Sequence, residues 1–248
     1  MSNISRDVTR RDFLATAATM AAASQLPIGS ITDAPQAAKQ GNVVLFQGDS
    51  ITDAGRNRDS KDANTAGALG NGYPLLAASA VLAAHANRGL RFYNRGISGN
   101  KVPDLQERWT TDTLDLKPDV LSILIGVNDL WHKLGGRYNG TVQDYEQQYT
   151  ALLDQTRRAL PQLHLIVLEP FVLRTGAVDA RWFPEFDERR AAAARVARAA
   201  HATFVPLQKV FDERVRTAPP EYWAADGVHP TPAGHAVIAE QWRHAAGL

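Results

Sequence analysis

The chain has 248 residues, 44% of them hydrophobic and 21% charged, with a formal net charge of +1, a balance ordinary for one globular domain. So small a charge gives no electrostatic basis for binding nucleic acid or an anionic membrane surface, and no apolar run reaches the roughly 18 residues of a membrane span. Cysteine is absent, which excludes disulfides, thiolate metal sites and a cysteine nucleophile.

The first segment in chain order reads as a leader. Thr9-Arg10-Arg11-Asp12-Phe13-Leu14 precedes an uncharged, alanine-rich stretch from Ala15 to Ala23. An arginine pair followed by a mild apolar region is the pattern of a twin-arginine export signal, which predicts a periplasmic or secreted protein. Residues 1–38 are therefore expected to be signal and linker, and residues 41–248 one folded domain.

From Asn42 onward, short apolar runs alternate with helical patterns. Strands are expected at 43–46, 90–93, 120–125, 163–168 and 202–206, and helices near 73–87, 143–160, 184–201 and 232–246. Thr231 reads as the N-cap of the last helix, with Pro232 at its first position. Nearly continuous apolar strands separated by helices predict an α/β fold whose parallel sheet is covered on both faces. The segment 51–72 is rich in Gly, Asn and Asp and reads as a long functional loop. The alanine-rich stretch from Arg189 to Ala202 reads as a strong helix former with a solvated arginine face.

Four polar segments fall just past predicted strand ends or just before the last helix. They are Gly48-Asp49-Ser50, Ser98-Gly99-Asn100, Gly126-Val127-Asn128-Asp129 and Asp226-Gly227-Val228-His229. Parallel α/β sheets place their ligand crevice at the carboxyl ends of the strands, so the four segments can converge on one site. A serine hydroxyl is a poor nucleophile until a positioned base takes its proton and a third group fixes that base. Ser50, His229 and Asp226 have the residue types for those three roles, and the spacing of Asp226 and His229 lets the carboxylate meet Nδ1 while Nε2 faces Ser50. Gly99 can offer an unobstructed backbone N–H and Asn128 a side-chain amide; with the Ser50 N–H they would make an oxyanion hole. Each segment also has an ordinary structural use: Asp49 and Ser50 as helix caps, Gly99 and Asn128 as turn residues, Asp226 and His229 as a capping aspartate and a histidine bonded to backbone. A metal is not expected, because no third ligand lies near Asp226 and His229 and the other histidines are scattered.

Together, in this order, the four segments resemble the blocks of the SGNH (GDSL) hydrolase superfamily, and the resemblance spans essentially the whole chain after the leader. It implies a flavodoxin-like three-layer α/β/α sandwich with strand order 2-1-3-4-5, Ser50 as nucleophile, His229 as base, Asp226 as its acid partner, and Ser50, Gly99 and Asn128 as the oxyanion hole. Gly67-Ala68-Leu69-Gly70-Asn71-Gly72-Tyr73, Arg108-Trp109, Asn128-Asp129-Leu130-Trp131 and His229-Pro230 with Ala233-Gly234-His235 are similar to the acetylxylan esterase branch. That similarity implies a cofactor-independent esterase acting on acetylated xylan-type carbohydrate or another small ester. Asp49, Trp131 and Trp223 are candidate substrate-binding residues, the tryptophans because each lies within a few residues of a block. Two alternatives remain open: a lysophospholipase or thioesterase, since the same blocks serve many acyl groups, and a non-catalytic carbohydrate-binding protein. The polar character of 51–72 favours a small acyl group on a polar carrier.

Overall fold

The computed structural model describes residues 42–248; the expected leader at 1–38 lies outside them. Five strands, β1 (Val43–Gly48), β2 (Arg91–Asn94), β3 (Val120–Leu124), β4 (His164–Leu168) and β5 (Thr203–Val205), form one sheet in the order β2-β1-β3-β4-β5. Every pairing is parallel, and Val44 lies between Phe92 on β2 and Val120 on β3. The helices are α1 (Ser50–Asp53), α2 (Ala66–Leu69), α3 (Tyr73–Ala84), α4 (Val102–Asp112), α5 (Val127–Leu134) and α6 (Val142–Ala159). They continue with α7 (Glu185–Ala199), α8 (Leu207–Arg214), α9 (Pro220–Trp223) and α10 (Pro232–Ala246). This is the three-layer α/β/α sandwich with flavodoxin-like strand order.

The apolar runs of the strands are explained by burial on two faces. Side chains alternate across a strand, so Val44, Phe46, Ile166 and Leu168 face one helical layer while Leu45, Leu121, Ile123, Leu165 and Val167 face the other. The first layer is α3, α8 and α10, where Trp242 packs its ring 4.8 Å from that of Phe46. The second is α4, α6 and α7, contributing among others Trp109, Tyr149, Leu152 and Val196. Burying a side chain of this size contributes about 1.5–3 kcal/mol, which is why both faces carry so few polar residues.

Several expectations change in detail. The segment 51–72 is not a continuous loop: it holds α1 and α2, and Asn64 uses its side chain to donate to Leu90 O and accept from Phe92 N at the exposed edge of β2. Thr231 caps α10 by accepting from Gly234 N, as its sequence position suggests. On α7, Arg195 and Arg198 are solvated, but Arg189 is fully buried, donating to Gly140 O at 2.8 Å and Glu185 Oε1 at 2.6 Å. Among the described residues no helix is long and apolar enough to cross a membrane.

Candidate functional site

The turn from β1 into α1 sets Ser50. A Cβ at Gly48 would stand 2.3 Å from Leu124 O and 2.5 Å from Thr52 Oγ1, so only glycine lets the chain turn this close to β3. Asp49 then caps α1 by accepting from Ile51 N at 3.0 Å. Ser50 becomes the first residue of the helix, where its N–H has no intrahelical acceptor.

From the other end of the chain, the loop before α10 folds over its own aspartate. Asp226 Oδ1 accepts from Val228 N at 2.9 Å and from His229 N at 2.7 Å, while Oδ2 accepts from His229 Nδ1 at 2.7 Å. Burial works to raise the Asp226 carboxyl, but these hydrogen bonds outweigh it and hold it below the usual carboxylate range. An ionised carboxylate only accepts, so Nδ1 carries the proton and Nε2 is the acceptor. The Ser50 hydroxyl donates to that nitrogen at 2.8 Å across 179 residues of sequence. Asp226, His229 and Ser50 thus form an unbroken line of hydrogen bonds, able to draw a proton from the hydroxyl.

Gly99 and Asn128 come to the same place. Gly99 has φ +85°, in the left-handed region that favours glycine. Among the described residues its backbone N–H has no acceptor. Asn128, on the first turn of α5, is 5% exposed and donates from Nδ2 to Asn100 O at 3.2 Å, which leaves its second amide hydrogen uncommitted. Three donors free to meet an oxyanion are therefore supplied from behind three different strands.

A set of polar residues to which the sequence alone assigns no role holds these segments in register. Asn94 donates to Thr52 O at 2.6 Å and Leu69 O at 2.8 Å and accepts from Gly96 N, joining the end of β2 to α1 and α2. Asp53 accepts from Ser98 N and Oγ, each at 2.9 Å, and pairs with Arg58. Arg108 donates to Asn100 Oδ1 and Arg95 O, both at 2.8 Å, and reaches Gly48 O at 3.4 Å. Arg108 was legible only as a family feature, and nothing in local sequence foretells its span.

The candidate substrate-binding residues separate. Trp131 is half-buried, its ring 5.7 Å from those of His229 and Trp182, so it borders the His229 imidazole. Trp223 is only 9% exposed; its indole donates to Ala218 O and its carbonyl accepts from Thr231 N, contacts that fix the approach to α10. Asp49 caps α1 through Oδ1 and is 1% exposed, so burial keeps its carboxyl from a ligand. Burial, with the charge of nearby Asp129 adding to it, pushes the Asp49 carboxyl up to about 7, and burial pushes Asp129 up to about 6 despite Arg189. Among the described residues no three His, Cys, Asp or Glu side chains are grouped to hold a metal ion.

The GDSL-like lipase/acylhydrolase family matches residues 46–237. An acetylxylan esterase from Geobacillus stearothermophilus is 34% identical over 210 residues, which cover 84% of this chain and 95% of the relative. Its crystal structure superposes with a TM-score of 0.75 at 32% identity, covering 85% of this chain and 96% of that one. The structure of a GDSL-like lipase candidate from Parabacteroides merdae reaches a TM-score of 0.82 at 49% identity, covering 84% of this chain and 97% of that one. With the family matched over most of its length, the chain belongs to the GDSL-like lipase/acylhydrolases and is a carboxylic ester hydrolase.

Proposed function

We propose that the protein is an exported acetylesterase that removes O-acetyl groups from xylan-type or related carbohydrate by serine catalysis. The observation that carries this reading is the line Asp226–His229–Ser50, with hydrogen bonds of 2.7 and 2.8 Å. The 34% identity to an acetylxylan esterase over most of both chains supports the choice of substrate, and the paired arginines at Arg10 and Arg11 support export.

In this mechanism His229 Nε2 takes the hydroxyl proton as Ser50 Oγ attacks the acetyl carbonyl. The carbonyl oxygen gathers negative charge and is met by the Ser50 and Gly99 N–H groups and the Asn128 amide. Asp226 stabilises the imidazolium that results and keeps its ring oriented. The bond to the sugar oxygen then breaks, and that oxygen leaves with the proton from His229. Water, deprotonated by the same nitrogen, attacks the acetyl-serine ester; acetate departs and the proton returns to Ser50 Oγ. The base must be uncharged at the start, so activity falls on the acid side.

The test is acetate release from acetylated xylo-oligosaccharides by the wild type and by Ser50→Ala. Release by the wild type alone is expected. No release by the wild type sinks the carbohydrate assignment and turns attention to lysophospholipids and thioesters; equal release by both sinks the serine mechanism. For export, Arg10→Lys combined with Arg11→Lys is expected to hold the protein in the cytoplasmic fraction, and unchanged fractionation would refute that part.

A further inference from the structure

Position 132 has no role in the mechanism above, yet it borders the reacting centre. His132 lies one helical turn beyond Asn128 on α5, so the two share a face. A Cβ built on Gly99 would meet, apart from its chain neighbours, nothing within 4 Å except His132 Cε1 at 3.9 Å. The space in front of Gly99 is therefore open, and the His132 ring is the wall across it. The half-buried ring makes no side-chain hydrogen bond among the described residues, and burial, aided by Arg137 and Lys101, lowers its basicity. It presents a largely neutral, flat surface rather than a fixed charge.

The stereochemistry of acyl transfer says what meets that surface. The tetrahedral carbon carries Ser50 Oγ, the oxyanion, the leaving oxygen and the acyl carbon. The oxyanion points to Ser50 N, Gly99 N and Asn128. The leaving oxygen must lie within reach of His229 Nε2, on the side where the Trp131 ring stands 5.7 Å from His229. The acyl carbon takes the remaining direction, away from His229. Consecutive residues on a helix diverge by about 100°, so Trp131 and His132 flank different substituents. We infer that His132 is the end wall of the acyl pocket and limits the enzyme to acetyl and similarly small acyl groups, with Trp131 on the side of the leaving alcohol. This rests on the assignment of Ser50, Gly99 and Asn128 under the proposed function.

The experiment compares kcat/KM for p-nitrophenyl butyrate and p-nitrophenyl acetate in wild type, His132→Ala and His132→Phe, with Ser50→Ala alongside. Both esters meet the same folded fraction, so their ratio is unaffected by any loss of stability. Opening the wall is expected to raise the butyrate-to-acetate ratio about tenfold or more in His132→Ala, the range that fitting additional methylenes commands. The bulkier ring of His132→Phe is expected to lower it. A ratio within about twofold of wild type in either variant overturns the inference. So does a change confined to acetylated sugars against p-nitrophenyl acetate, which would put His132 on the alcohol side. Activity surviving in Ser50→Ala is a separate failure, that of the serine mechanism itself.

Discussion

At the scale of single residues, the site depends on which hydrogens are left uncommitted. Asn128 spends one amide hydrogen on Asn100 O, at 3.2 Å, and under the proposed mechanism keeps the other for the developing oxyanion. Asn128→Ala is expected to lower kcat about 10²–10³-fold with a smaller effect on KM, as when one oxyanion donor is removed elsewhere; steady-state kinetics on an acetyl ester reads it. Asp49 shows the opposite economy, a carboxyl sealed from water with Oδ2 unpartnered. Its folded-state value lies near 7 against 3.8 outside the fold, so the native state holds the proton more tightly. The stability it contributes is full below pH ~4 and is lost as pH rises toward ~7. Asparagine keeps the cap and cannot ionise. The melting temperature of Asp49→Asn is therefore expected to gain on that of the wild type steadily from pH 4 to 7. A constant difference across that range would refute the assignment.

At the scale of elements, the chemistry sits where strands hand over to helices, and here the sequence was read unevenly. β1 to β5, α3, α6, α7 and α10 were legible because each is long or apolar enough to show its period. α4 and α5 were not. α4 is mostly polar and is capped by an unusual pairing of Lys101 and Asp104, and α5 begins directly after Gly126 with no side-chain cap. Ser50, Gly99, Asn128, Asp226 and His229 were legible because their residue types are scarce in combination and fall at strand ends or, for the last two, just before the final helix. The positioning roles of Arg108, Asn94 and Asp53 were not, since their partners lie on other segments and only folding reveals them. His132 left one faint trace, its spacing of one turn from Asn128. Arg108 gives the element-level prediction. Its planar fork serves Asn100, Arg95 and Gly48 at once, which a lysine ammonium cannot copy. Arg108→Lys is expected to lower kcat about tenfold and to cost about 1.5–3 kcal/mol of stability, the worth of a charged hydrogen bond; kinetics and denaturant titration check both.

At the scale of the whole molecule, the two ends of the sheet do different work. The segments past the carboxyl ends of β1, β2 and β3, with the loop before α10, carry every group in the proposed mechanism, while the turns at the amino ends only return the chain. Lys117, in the turn leading to β3, is held at φ 48° and ψ 57°, a left-handed conformation costly for any residue with a Cβ. Lys117→Gly relieves that cost but gains freedom in the unfolded chain, leaving a net stabilisation of about 0.5–1 kcal/mol. kcat is expected to stay within about twofold of wild type, because the change lies at the non-catalytic end. Thermal melts and kinetics together would show whether the ends are separable.

The span of 179 residues between the hydroxyl and its base has a consequence for synthesis. A ribosome that stops between Ser50 and Asp226 releases a polypeptide with that serine but neither His229 nor Asp226. Under the proposed mechanism such fragments are inert, and turnover in an assay would report that translation reached the final loop and that the first strand and that loop have met.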